Sequence, residues 1–78
     1  MENDAQPPEQ AQTELENFLN KIVVVSVKDK RKFRGKLTQY DEHMNLLLED
    51  AEEISENSPI AKHKLILLKG GNVSAVSI

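Results

Sequence analysis

Apolar residues recur along this chain with two different periods, and the change between them separates one helix from a set of strands. Near the start, Leu15, Phe18 and Leu19 share one helical face. Thr13, with Glu16 three positions later, has the form of a capping box, so a helix of about two turns is predicted from there. Residues 1–12 include Pro7, Pro8 and three glutamines without apolar periodicity and are expected to form a disordered polar tail. From residue 22 the period becomes two. Residues 22–27 are β-branched almost throughout, and in 32–40 Phe33, Gly35 and Leu37 alternate with Arg34, Lys36 and Thr38. Gly35 is expected at a sharp bend, where a small sheet curls over its own core. The turn between these strands lacks the glycine of a tight primed hairpin, which points to a longer loop. A third strand is predicted over 46–51, a polar connection over 52–61, a fourth strand over 64–69 and a short last strand over 73–76. The sum is a mostly β fold: a short N-terminal α-helix on a strongly bent five-stranded antiparallel sheet, an SH3-like open barrel.

Two of these strands ask for a neighbour. Leu65, Ile66, Leu67 and Leu68 are apolar without alternation, so both faces of the fourth strand should be covered, which one short helix cannot do. The last strand reaches Ile78 without a charged gatekeeper. Pairing one copy's fifth strand with the next copy's fourth meets both needs, and because the edges differ the contact is head to tail and closes into a ring or runs into a filament. We expect a ring. The 78-residue length and the lack of cysteine strengthen this, since a chain so short buries little core and has no disulfide to supplement it.

The net charge of -3 conceals a segregated pattern. Lys28, Lys30, Arg31, Lys32, Arg34 and Lys36 crowd into nine residues, whereas residues 41–56 hold seven acids and no lysine or arginine. The basic run suits either local phosphate binding or a solvated hairpin. No apolar run approaches the roughly 20 residues of a membrane span, and the first 12 residues carry no apolar signal core, so a soluble, cytoplasmic protein without membrane contact is expected.

The chemistry gathers in two blocks, residues 35–45 (GKLTQYDEHMN) and 67–73 (LLKGGNV). Each joins a strand to a polar turn. The first turn offers Asp41, His43 and Asn45, and the second Lys69, Gly70, Gly71 and Asn72. An imidazole is a flat stacking face, an amide can pair with a base edge, and glycines let backbone N–H groups approach a ligand. No serine, lysine or carboxylate pair has an activating context, so an enzyme is not expected. His63 is the only other histidine, which leaves a metal site or cofactor without ligands. Taken singly, His43 could be an exposed turn residue, Asn45 and Asn72 could bond their own turns, and Lys69 with Gly70-Gly71 could be only a hairpin. Tyr40, by parity on the wet face with Arg34 and Lys36, suits either a stacking surface beside positive charge or a subunit boundary.

Taken together, the two blocks make residues 13–78 resemble the Sm and Sm-like (LSm) family. Gly35, Leu37, Tyr40, Asp41, His43, Met44 and Asn45 match its first motif, and Leu67, Lys69, Gly70, Asn72 and Val73 its second. The resemblance implies an Sm-like domain over 13–78 that assembles through its fourth and fifth strands into a homo-oligomeric ring, heptamer favoured and hexamer possible. It also implies binding of single-stranded, uridine-rich RNA around the pore, one base per subunit, as a ribonucleoprotein scaffold or RNA chaperone. The implied RNA-binding residues are Asp41, His43, Met44, Asn45, Lys69, Gly70, Gly71 and Asn72: His43 and Lys69 sandwich a base, Asn45 pairs with its edge, and Asp41 and Asn72 brace the loops. The chain departs from the pattern at Lys69, where arginine is usual, and at Gly71, where Asp or Asn is common. Those departures and the acidic balance motivate an alternative, a structural or protein-binding ring with little RNA affinity. A monomeric SH3-like peptide binder is a third reading, disfavoured because only Phe18, Phe33 and Tyr40 are aromatic.

Overall fold

The computed structural model describes residues 9–56 and 58–78. Its elements are α1 (Glu9–Phe18), β1 (Ile22–Val27), β2 (Lys32–Tyr40), β3 (Leu46–Ser55), β4 (Ser58–Leu68) and β5 (Val73–Ser77), with a short 3-10 turn over Gly70–Asn72. The five strands form one sheet in the order β4-β3-β2-β1-β5, and every pairing is antiparallel. Alternation makes the core. Val23, Val25 and Val27 of β1 point inward with Phe33 and Leu37 of β2, Leu46, Leu48 and Ala51 of β3, and Leu68 of β4. Leu15 is buried against them, and Phe18 and Leu19 pack at the margin, so the helix is held by its apolar stripe rather than by its own propensity.

The bend is built from two residues that face each other. A Cβ on Gly35 would lie 2.9 Å from the Ala51 Cα and 3.0 Å from its Cβ, so the strands pass too closely there for any side chain. Opposite, β3 carries one extra residue: the register steps from Arg34 with Glu52 to Lys36 with Glu49, and Asp50 takes up the difference at φ 52°. Such a bulge turns the strand and increases its twist, which lets so short a sheet curl over its core.

Three expectations need correction. The helix begins at Glu9, so Thr13 lies within it and is no cap; residues 9–12, expected to be polar tail, are good helix formers that continue the turn upstream. The rest of that tail, 1–8, lies outside the described residues. The polar connection expected over 52–61 is largely strand, because β3 runs to Ser55 and β4 starts at Ser58. Cross-strand charge accounts for this: Glu52 sits between Arg34 of β2 and Lys62 of β4, with its carboxylate 2.9 Å from the Arg34 guanidinium. Pro59 is accommodated because β4 is an edge. Finally, a register shift between Leu37 and Gln39 breaks the parity of β2, so Tyr40 is half-buried against the core while Gln39 is exposed.

The segregated charges thus become facing charges. Arg34 is paired with Glu52, and Arg31 with Asp29 at 2.8 Å while its guanidinium lies over the Phe33 ring. The β1–β2 turn is the longer kind: Lys30 takes φ 76°, and its N–H bonds the Val27 carbonyl. Leu65 and Leu67 of β4 are 59 % and 60 % exposed, and both β4 and β5 present open edges. Among the described residues no helix is long and apolar enough to cross a membrane.

Candidate nucleic-acid interface

The β2–β3 turn is organised by one carboxylate. Asp41 accepts three hydrogen bonds: its Oδ1 from the N–H groups of His43 (2.9 Å) and Asn45 (3.0 Å), and its Oδ2 from the Asn45 Nδ2 (2.9 Å). The Met44 N–H closes on the Asp41 carbonyl at 3.0 Å, with Met44 at φ 61°. An aspartate at the head of a turn is suited to this, because its short side chain reaches the backbone two and four residues on. Met44 tucks its side chain partly against the core, whereas His43 is left exposed, 3.8 Å from the Glu42 carboxylate.

The two motifs meet through Asn45. Its Oδ1 accepts the Gly70 N–H at 2.7 Å across 25 positions of sequence, so a single amide binds Asp41 with its nitrogen and the second loop with its oxygen. Gly70 must be glycine, since a Cβ there would land on the His43 carbonyl. Gly71 differs: nothing lies within 4 Å of where its Cβ would be. The turn closes from the Asn72 N–H to the Lys69 carbonyl at 2.9 Å.

Of the eight residues singled out from the sequence, the structure brings Asp41, His43, Met44, Asn45 and Gly70 into one contact set. Lys69 and Asn72 stand beside it, lining a cleft of about 460 Å³, and Gly71 faces open space. A smaller cleft, about 140 Å³, opens between Tyr40, Asp41, Asn45, Leu47 and Leu67. One link was invisible in the sequence: the Lys28 N–H donates to the Asn72 carbonyl at 2.8 Å and ties the β1–β2 turn to the second loop. Nothing in the periodicity around Lys28 signals it. Among the described residues no three His, Asp or Glu side chains gather as a metal site.

The Asp41 carboxyl titrates below its ordinary range, chiefly because the Asn45 side-chain amide bonds the ionised form; desolvation opposes this, and the backbone N–H groups of Asn45 and His43 and the charge of His43 add to it. A depressed native pKa stabilises the loop above the unfolded value of about 4, and that contribution disappears as pH falls through the native value. The Asn45 backbone and side-chain Nδ2 amide resonances are therefore expected to shift together below about pH 4, where Asp41 takes up its proton; no movement in that range would place control of the loop elsewhere.

A bent five-stranded barrel with both edges open and two loops latched by an amide defines a binding module that works through its edges and loops. The comparisons agree with that class. The LSM domain model matches residues 13–78. An Sm-like snRNP protein of Methanosarcina barkeri is 44 % identical over 63 residues, covering 81 % of this chain and 88 % of the relative. Among solved structures, the Pyrococcus abyssi Sm protein in complex with a uridine heptamer superposes with a TM-score of 0.84 at 36 % identity, covering 88 % of this chain and 97 % of that one. The SmAP1 heptamer of Pyrobaculum aerophilum superposes with a TM-score of 0.80 at 35 % identity, covering 91 % of this chain and 95 % of that one. The chain belongs to the LSM domain family.

Proposed function

We propose that this protein is a ring-forming, single-stranded RNA-binding protein, with residues 13–78 as its Sm-like domain and one nucleotide held by each subunit at the latched loops. Uridine-rich RNA is the expected ligand, after the uridine heptamer in complex with the Pyrococcus abyssi protein, and a heptamer is the expected assembly, after the SmAP1 heptamer. The open β4 and β5 edges and the exposed Leu65 and Leu67 support assembly, because a neighbour's strand would pair both edges and cover both leucines.

The observation that carries the reading is the two-ended bonding of Asn45. With Nδ2 bound to Asp41 and Oδ1 to Gly70, the amide cannot turn over, and it keeps one N–H and one lone pair for a ligand. Uracil offers an N–H at N3 next to the O4 acceptor, which complements that order; cytosine presents the reverse. His43 and Lys69 supply a stacking face and a charge on either side, Asp41 and Asn72 hold the loops, and Met44, Gly70 and Gly71 shape the backbone around the base. The work is binding, with no reaction asked of these groups.

Native mass spectrometry with a fluorescence titration of oligo-U, oligo-A and oligo-C at two salt concentrations tests this. A mass six or seven times that of one chain, with oligo-U bound more tightly than oligo-C, is expected. A ring that binds none of the three would instead be a structural or protein-binding assembly, and a monomer at micromolar concentration would defeat both readings.

A further inference from the structure

The first loop holds a reactive group that base binding does not use, the thioether of Met44. We propose that Met44 is an oxidation site that switches the RNA affinity of the ring: a peroxide converts its thioether to the sulfoxide, and the latched loops come apart. This inference rests on the RNA reading above.

Three observations carry it. The chain has two methionines and no cysteine, and the other methionine is Met1, so Met44 is the only sulfur in residues 13–78. An oxidant of soft sulfur has one target in the domain. That target stands between the imidazole offered for stacking and the amide that joins both loops. Secondly, Met44 is half-buried, with its side chain packed against the core while Asp41, Glu42 and His43 around it are exposed. A small peroxide can therefore reach a sulfur whose seat is apolar. The third observation is the backbone. Met44 holds φ 61°, a left-handed conformation that a residue with a Cβ adopts only under constraint, and it is kept there by the bond from its N–H to the Asp41 carbonyl and by that seat. The second loop rests on this conformation. A Cβ at Gly70 would lie 2.9 Å from the Met44 carbonyl carbon, so the two backbones touch where the Asn45–Gly70 bond closes.

The step is a two-electron oxygen transfer. A sulfur lone pair attacks one oxygen of hydrogen peroxide, the O–O bond breaks and hydroxide leaves; the hydroxide then takes the proton from the transferred oxygen, giving sulfoxide and water. Sulfur is oxidised and the peroxide reduced. The product is polar and carries a strong acceptor. Among the described residues no buried side chain is polar, so the core beneath Met44 has no side-chain donor to meet that oxygen. The sulfoxide turns out to solvent, because an unpaired polar group is costly to bury. Without its seat Met44 gives up the left-handed conformation, which displaces His43 and Asn45 and opens the bond to Gly70. Sulfoxide reduction by a methionine sulfoxide reductase reverses the change.

Hydrogen peroxide applied to the assembled ring tests this. Peptide mapping should find one added oxygen at Met44, and oligo-U affinity should fall at least about tenfold, a ratio equivalent to about 1.4 kcal/mol, with the ring intact. Reductase treatment should restore it. Met44→Leu keeps the volume, removes the sulfur and retains Met1 as an internal control. Whatever its starting affinity, that variant should bind oligo-U equally before and after peroxide. The Asn45 Nδ2 resonance, read without RNA, should move on oxidation of the parent and stay in place in Met44→Leu. Complete oxidation of Met44 with unchanged oligo-U affinity would overturn the inference. So would a Met44 that resists a dose able to oxidise Met1, an equal loss of affinity in Met44→Leu, or dissociation of the ring, which would make the effect one of assembly. Failure of the unoxidised protein to bind oligo-U at all would instead defeat the RNA reading beneath it, so the two failures are distinguishable.

Discussion

Asn45→Ala is expected to lower oligo-U affinity at least about a hundredfold without changing the mass of the assembly. The substitution removes both the groups offered to a base and the bond that holds the Gly70 N–H. A net hydrogen bond is worth about 1 kcal/mol, and a ring loses it at every engaged subunit, so two or three subunits account for about 2.7 kcal/mol, which is a factor of a hundred. Asn45→Asp should be at least as damaging for a different reason. It keeps an acceptor for Gly70 but sets a second carboxylate where the amide nitrogen now lies 2.9 Å from Asp41, and like charges at that range cannot both stay ionised cheaply. Fluorescence titration and native mass spectrometry on both variants decide the matter. Unchanged oligo-U binding by Asn45→Ala would mean that the amide does not read the base, and a collapsed ring would assign it to structure alone.

Gly35→Ala carries the largest expected cost to the fold. The added methyl would meet the Ala51 Cα at 2.9 Å, and backbone cannot swing aside as the end of a long side chain can. Overfilling a packed site costs about 1–3 kcal/mol, against about 5–15 kcal/mol for a whole domain. In a chain this short each kcal/mol moves Tm by about 4–8 °C, so a fall of about 10 °C or more is expected at matched protein concentration. Gly71→Ala provides the contrast, because its Cβ would enter open space. Its Tm should stay within about 2 °C of the parent, the range of an ordinary surface change. Equal effects at the two positions would show that the close passage at Ala51 does not limit the bend.

What could be read from the sequence was whatever is encoded locally. The β-branched run of β1 and the alternation of β2 specify their strands within themselves, and their predicted bounds coincide with the structure. The distal hairpin was missed because its information is not local. Glu52, Glu53 and Ser55 look like loop when read along the chain; they become strand only beside Arg34 and Lys62, which stand 18 positions before Glu52 and ten after it. The same holds for Tyr40, whose orientation depends on a register shift that neither strand shows alone. The site divides in the same way. Asp41 and its turn are a local device, legible in the DEHMN spacing. The contact of Asn45 with Gly70 spans the whole third and fourth strands, and only the joint resemblance of the two motifs anticipated that they would meet. The helix start erred for the opposite reason: a polar stretch with no apolar stripe can still be helical when its residues favour the turn.

β4 is eleven residues long and β5 only five, and this mismatch has an outcome for growth. When one copy's last strand is laid along the next copy's leucines, about half of the longer edge has no counterpart and projects past the seam. That overhang carries Pro59, which lacks an N–H to offer, and the exposed lysines at 62 and 64, both hostile to a passing β-strand. In the proposed pairing the half that meets a neighbour is the leucine-rich one, and Pro59 and Lys62 flank the exposed Ile60 on the half left over, so the margin through which the ring would grow also carries its own guard against aggregation.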